Sequence, residues 1–176
     1  MLVTMPPFSA ATALEQVRAG TPLQALADRH SLEEILAAAR DAKAGLRYGL
    51  AGLDEDGSRR TGAADHWSIA MLVGHALAWD AAAHQVARAL ALGRQPTGIA
   101  LPYDTPGDAD ATSEQLLAGI PEAEARLAEA SVLAAGGLTF AHRDLGPLSA
   151  RGWILAVAVH DAEHLHQAAA IARARR

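Results

Sequence analysis

The sequence predicts an all-α protein built on a four-helix bundle, with one or two short extra helices at its N-terminus. Apolar residues make up 51% of the 176 residues, whereas aromatic residues make up only 4%. Much of the apolar fraction is alanine, which has the highest helix propensity and lets helices pack closely. Four long segments repeat apolar residues at steps of three and four, the spacing of one helix face, and loops rich in glycine or charge separate them.

The first 30 residues predict an N-terminal extension that contains short helices. Thr12 and Glu15 have the spacing of a capping box, and Thr21 followed by Pro22 fits an N-cap with proline in the first helical position. Two short helices are therefore expected in residues 1–30, ahead of the bundle domain in residues 31–176.

The bundle helices follow in order, and Ser31 with Glu34 forms a capping box at the start of the first. Pro121 is expected to kink or split the third helix. The stretch from Gly93 to Ala111 predicts a long loop, a candidate wall or lid of a site. The expected helices are Ser31 to Leu53, Asp65 or Trp67 to Leu92, Thr112 to Ala135, and Ser149 to Arg173.

Charge and composition exclude several classes of function. The net charge is −5, and the one dense basic run (Arg173, Arg175 and Arg176) is typical of a solvated helix end, so no nucleic-acid partner is expected. The chain has no cysteine, which excludes disulfides, thiolate ligands and a cysteine nucleophile. The N-terminus resembles neither a signal peptide nor a membrane span, so a cytoplasmic protein without a membrane partner is predicted.

Two of the eight histidines lie within the apolar stripe of the last helix. His160 and His164 are four residues apart and therefore project from one face, where two imidazoles can bind one ion. Burial of their polar nitrogens requires partners, which a metal or a hydrogen-bonded core pair would supply. Spacing alone leaves these two interpretations open. His75, beside the apolar face of the second long helix, is the proposed third ligand, and three histidines suit a borderline divalent metal.

Other polar residues near these histidines are candidate partners for the imidazole N–H groups. Asp80, Asp161, Glu163 and Gln167 are close in sequence to a proposed ligand, and any of them could accept such a hydrogen bond. Asp161 is expected on the solvated face of its helix, and His84, about half a turn from His75, is expected at the surface.

Two motifs resemble those of a known family. The run from Trp67 to Asp80, in which a histidine follows the first tryptophan by eight residues, resembles the Trp-Ser, His, Trp-acidic pattern of the DinB-like (DinB/YfiT-like) metalloenzymes. The run from His160 to Gln167 resembles the family's last-helix pattern, in which two histidines four apart precede a glutamine. The resemblance spans about Ser31 to Arg173.

This resemblance implies a four-helix bundle, often a homodimer, that holds one divalent metal through His75, His160 and His164. Zinc or nickel is the first expectation, with iron or manganese as further options. The wider superfamily includes bacillithiol and glutathione transferases and a mycothiol-dependent isomerase, which implies a low-molecular-weight thiol as cosubstrate. The mycothiol-dependent branch also uses a glutamate ligand, a geometry that Glu163 would permit.

Three functions follow from these expectations. The first is a metal-dependent transferase that joins a low-molecular-weight thiol to a small electrophilic molecule. The second is a hydrolase that uses a metal-bound water, with Glu163 or His166 as the base. The third is a non-catalytic binding or stress module that the metal stabilises.

Overall fold

The computed structural model describes residues 8–61, 67–130 and 137–173, and within them the chain is mostly helical. Two short strands, β1 (Thr139–His142) and β2 (Gly146–Ser149), form an antiparallel hairpin. The helices are α1 (Ala10–Arg18), α2 (Leu23–Arg29), α3 (Leu32–Ala51), α4 (Glu55–Ser58), α5 (Ile69–Ala91), α6 (Ser113–Ala130) and α7 (Ala150–Arg173).

The long helices α3, α5, α6 and α7 form the predicted four-helix bundle. Both α3 and α5 pack against α6 and against α7, so α3 and α5 lie on one diagonal of the bundle and α6 and α7 on the other. The two short N-terminal helices α1 and α2 are also confirmed, and both pack on α7. Because α7 is covered by four helices and by β2, it is the most enclosed element.

Side-chain caps start α1, α3, α4 and α5, and two helices begin at positions other than those predicted. The capping box at Ser31 is confirmed, since its hydroxyl accepts from the amide of Glu34 at 3.2 Å and its amide donates to the Glu34 carboxylate at 2.8 Å. At α1 the cap is Ser9 instead of Thr12, and Thr12 sits within the helix. At α2 the N-cap position belongs to Pro22, one residue later than expected.

The predicted all-α class is confirmed, since the described residues are mostly helical, but a small hairpin that was not predicted precedes α7. Here β1 and β2 pair over four residues each, and Gly146 has a φ of 75°, which favours glycine. The indole N–H of Trp153 donates to the carbonyl of Phe140 at 3.2 Å and ties the hairpin to α7. Strands this short carry too few residues for an alternating pattern to be recognised in the sequence.

Two residues predicted at the surface are buried. Asp161 is fully buried because α3 and α5 both cover α7 on that side. His84 is 8% exposed because α6 packs over its side of α5, where the backbone of Arg126 is its hydrogen-bond partner. Burial lowers the pKa of His84, which keeps the ring neutral.

Some predictions fall outside the described residues. These are the helix start at Asp65, the end of the third long helix near Ala135, and the basic residues Arg175 and Arg176. Pro121 lies inside α6, which runs through it as one helix. Among the residues that the structure describes, none of the helices is long and apolar enough to cross a membrane.

Two glycines let the loop after α5 lie directly on that helix. The amide of Gly107 donates to the carbonyl of Met71 at 3.0 Å, and the backbones of Gly107 and Gly74 are in contact. A Cβ atom on Gly107 would lie 2.7 Å from both the Cα of Gly74 and the amide nitrogen of His75. This close approach holds the Thr105 carbonyl against the ring of His75.

We expect Gly107→Ala to lower the free energy of unfolding by about 1–3 kcal/mol, because the methyl group collides with backbone that cannot rotate away. Gly52→Ala is the matched control, since a Cβ there meets nothing within 4 Å and its φ of −98° suits alanine. Urea denaturation followed by circular dichroism measures both. Equal stability of the two variants would contradict the proposed contact.

Candidate metal centre

Three imidazole rings from two helices meet at one point. His75 projects from α5, and His160 and His164 project from successive turns of α7. The Nε2 atom of His160 lies 3.2 Å from Nε2 of His75 and 3.1 Å from Nε2 of His164. His75 is 2% exposed and His164 is 8% exposed, so the group is largely withdrawn from water. The residues that the sequence singled out as ligands are therefore together in space.

In His75 and His164, hydrogen bonds at the outer nitrogen fix which ring nitrogen points inward with a lone pair. His75 Nδ1 donates to the carbonyl of Thr105 at 2.8 Å, and His164 Nδ1 donates to Oε1 of Gln167 at 2.7 Å. A neutral ring that carries its proton on Nδ1 presents an unprotonated Nε2, the form that binds metals. Of the predicted acceptors, Gln167 therefore accepts the hydrogen bond from His164. The acceptor for His75, the carbonyl of Thr105, was not predicted.

The two distances from His160 match the spacing of a metal's ligand shell, and ligand atoms of all three histidines lie within 4.8 Å of one another. Nitrogens that bind zinc tetrahedrally at about 2.0–2.1 Å are separated from one another by about 3.3 Å. Burial lowers the pKa of His75, and it lowers that of His160 well below the usual value, with His164 and His75 adding to the second shift. Neutral imidazoles are the ligating form, so the three histidines could hold one metal ion.

The histidine cluster lines a cavity of about 310 Å³ that opens to solvent. The ring of Trp79 stacks on His160 at a centroid distance of 4.3 Å, and Trp67 meets His75 edge-on at 5.0 Å. These aromatic rings restrict how far the imidazoles can turn. The other residues that line the cavity are Leu72, Tyr103, Glu163 and Gln167. Tyr103 comes from the loop between α5 and α6, which therefore forms one wall of the cavity, as the sequence suggested.

The two residues predicted as bases have different positions. Glu163 lines the cavity, and its carboxylate accepts two hydrogen bonds from Arg18 of α1, at 2.8 and 2.7 Å. The N-terminal extension therefore contributes to the site, which the sequence did not indicate. His166 is exposed and lines a separate cavity with Ser9 and Asp41, so of the two residues only Glu163 lines the cavity of the three histidines.

A second group of possible ligands lies deeper, behind His160. Oxygens of Asp80 and Asp161 and a ring nitrogen of His160 lie within 4.8 Å of one another. The ammonium of Lys43 is already there: its Nζ lies 2.5 Å from Oδ2 of Asp161 and is also paired with Asp80. Burial lowers the pKa of Lys43, and Asp161 opposes that shift. A resident cation in contact with both carboxylates makes this group a poor metal site.

His142 is a neighbour of the cluster that the sequence did not identify. It belongs to β1, it is buried, and its Nδ1 accepts from the amides of Asp144 and Leu145 at 3.1 and 3.2 Å. Its proton is therefore on Nε2. Together with Arg18 and Glu163, His142 lines a second cavity of about 340 Å³ that reaches His160 from the other side. The missed hairpin is the reason why this residue was missed.

Comparison with models of protein families shows the family to which the chain belongs. A family model described as the DinB superfamily matches residues 24–168, most of the sequence. The chain belongs to the DinB superfamily. Comparison with curated proteins and with solved structures gives no match.

Membership of the DinB superfamily agrees with the position of the histidines. All three lie within the matched residues, as do Glu163 and Gln167, whereas Arg18 precedes them. The ion pair between Arg18 and Glu163 is therefore a feature of this chain that the DinB superfamily match does not cover.

We expect His160→Ala and His164→Ala each to remove most of the bound metal. At a metal concentration 100 times the dissociation constant, binding adds about 2.7 kcal/mol to the stability of the folded state, which these variants would lose. Elemental analysis and thermal unfolding with and without metal measure the two effects.

The control for this experiment is His166→Ala, an exposed histidine on the same helix. It should keep the metal content and the metal-dependent stabilisation of the parent protein. Full metal retention by both ligand variants would refute the assignment of His160 and His164.

Proposed function

We propose that this DinB superfamily protein is a metal-dependent enzyme that joins a low-molecular-weight thiol to a small electrophile. The observation that carries the proposal is the meeting of the Nε2 atoms of three histidines, 3.1–3.2 Å from His160 to each of its neighbours, at the edge of an open cavity. Three protein ligands leave a position for a further group, as in catalytic zinc sites.

The ligand set supports zinc or nickel, with iron or manganese as further options, because imidazole suits borderline divalent metals. When bound, such an ion supplies Lewis acidity that favours the thiolate over the thiol. The chain has no cysteine, so the sulfur must come from a cosubstrate. A volume of about 310 Å³ is at the lower end of the range for small-molecule sites.

The proposed reaction transfers sulfur to carbon. The thiolate attacks an electrophilic carbon, a C–S bond forms, and the carbon–halogen or epoxide C–O bond breaks, with the electron pair leaving on the halide or oxygen. The thiol proton passes to Glu163, the carboxylate that lines the cavity, or to water. Arg18 orients Glu163 from one side, and the aromatic rings of Trp67 and Trp79 hold the histidines.

Thiol dependence tests this proposal. With a general halide electrophile and a panel of low-molecular-weight thiols, we expect turnover only when both a thiol and a divalent metal are present. Removal of the metal by chelation should abolish the activity, and its return should restore it. Turnover that proceeds equally without thiol would reject the transferase.

A hydrolase is the second candidate, and the position of Glu163 in the cavity favours it. In that reaction Glu163 accepts a proton from the attacking water, a role worth about 10²–10⁴-fold in rate. We therefore expect Glu163→Gln to lower thiol-independent turnover by at least about 100-fold while the metal content stays unchanged. A variant that keeps its hydrolytic rate would exclude Glu163 as the base.

Other parts of the proposal rest on the resemblance and the composition alone. A homodimer, a cytoplasmic location and a role in stress remain predictions. A non-catalytic, metal-stabilised module also remains an alternative, but the cavity beside the histidines and the carboxylate that lines it favour an enzyme.

A further inference from the structure

A cluster of three charged groups is buried where three helices of the bundle meet. Lys43 comes from α3, Asp80 from α5 and Asp161 from α7, and none of the three is more than 2% exposed. The Lys43 ammonium contacts both carboxylates. Fully ionised, the cluster carries a net charge of −1.

This cluster contains more negative charge than the lysine requires. One carboxylate is enough to compensate a buried ammonium, and a second buried carboxylate costs desolvation energy without a second cation. The Oδ1 atoms of Asp80 and Asp161 are buried and have no hydrogen-bond partner among the described residues. Stability of the fold alone therefore does not account for the second carboxylate.

The excess charge lies next to the candidate metal centre. A ring nitrogen of His160 is within 4.8 Å of oxygens of both Asp80 and Asp161. The Nε2 atom of His160 faces His75 and His164, and its Nδ1 atom is buried without a hydrogen-bond partner in the part of the chain that the structure describes. The other two histidines have partners at Nδ1, whereas His160 has carboxylates nearby instead.

We propose that Asp80 and Asp161 are positioning residues that act through His160 to stabilise a divalent cation at the three histidines. The inference rests on the proposed metal site. Because imidazole ligands are neutral, they leave the charge of a divalent ion uncompensated in a largely buried environment. The net negative charge of the cluster compensates part of it, and the carboxylates favour the ring of His160 with its proton on Nδ1.

The test compares Asp80→Asn and Asp161→Asn with Glu33→Gln. Each of the first two variants removes one carboxylate and leaves Lys43 paired with the other, so each should fold without metal. Glu33 is exposed in the first turn of α3, and its variant removes the same charge from the surface. Zn²⁺ affinity is measured by competition with a chelating dye, folding by circular dichroism, and ligand geometry by the absorption spectrum of the Co²⁺-loaded protein.

We expect both aspartate variants to bind Zn²⁺ about 10- to 100-fold more weakly than the parent protein and to alter the Co²⁺ spectrum. Glu33→Gln should bind as the parent does. A purely structural role would change stability with and without metal by the same amount and leave the affinity unaltered, and that result would overturn the inference.

The two proposals fail in different ways. If the parent protein binds no divalent metal, the proposed function fails. If the parent binds Zn²⁺ and both aspartate variants bind it equally well, only the positioning role fails. If one aspartate variant does not fold, the Zn²⁺ affinity of the other variant decides whether the positioning role stands. The failure of both to fold would also contradict the inference, since a single carboxylate is expected to suffice for Lys43.

Discussion

The convergence of three Nε2 atoms is the constraint on which the rest of the site depends. The Nε2 atoms of the other two histidines lie within hydrogen-bond distance of His160 Nε2, but a neutral His160 cannot donate to both of its neighbours at once. The outer nitrogens of His75 and His164 are already used as donors. A cation satisfies all three inner nitrogens together, so the surrounding loop, glutamine and aromatic rings act as supports for a metal site.

Much of the fold and the pairing of His160 with His164 could be predicted because both follow from helix periodicity, whereas the choice of His75 as the third ligand rests on the family resemblance. A spacing of four residues places His160 and His164 on one face wherever the helix lies. Periodicity does not reveal what covers each face. The apolar run Gly152–Val159 on α7 was the available signal, since a helix that is apolar all round is buried all round. With that signal considered, burial of Asp161 would have been expected.

The remaining parts of the site depend on contacts between segments far apart in sequence. The Thr105 carbonyl reaches His75 only because two glycines allow the loop to touch α5, and Arg18 reaches Glu163 across 145 positions of chain. Neither contact leaves a local pattern. His142 depends on a hairpin of four-residue strands, too short to show alternation. The spacing of residues in the sequence therefore does not predict contacts between distant segments or strands as short as these.

Two clusters that could each bind a cation adjoin at His160, and the chain treats them differently. At the three histidines it offers neutral nitrogens and a cavity open to solvent, so an external cation can enter and exchange. At the two aspartates it provides its own ammonium from Lys43, which disfavours a metal there but leaves one more carboxylate than cation. The extra carboxylate beside Lys43 would therefore supply the negative charge that a divalent cation at the three histidines requires. His160 lies between the two clusters and contributes a ring nitrogen to each.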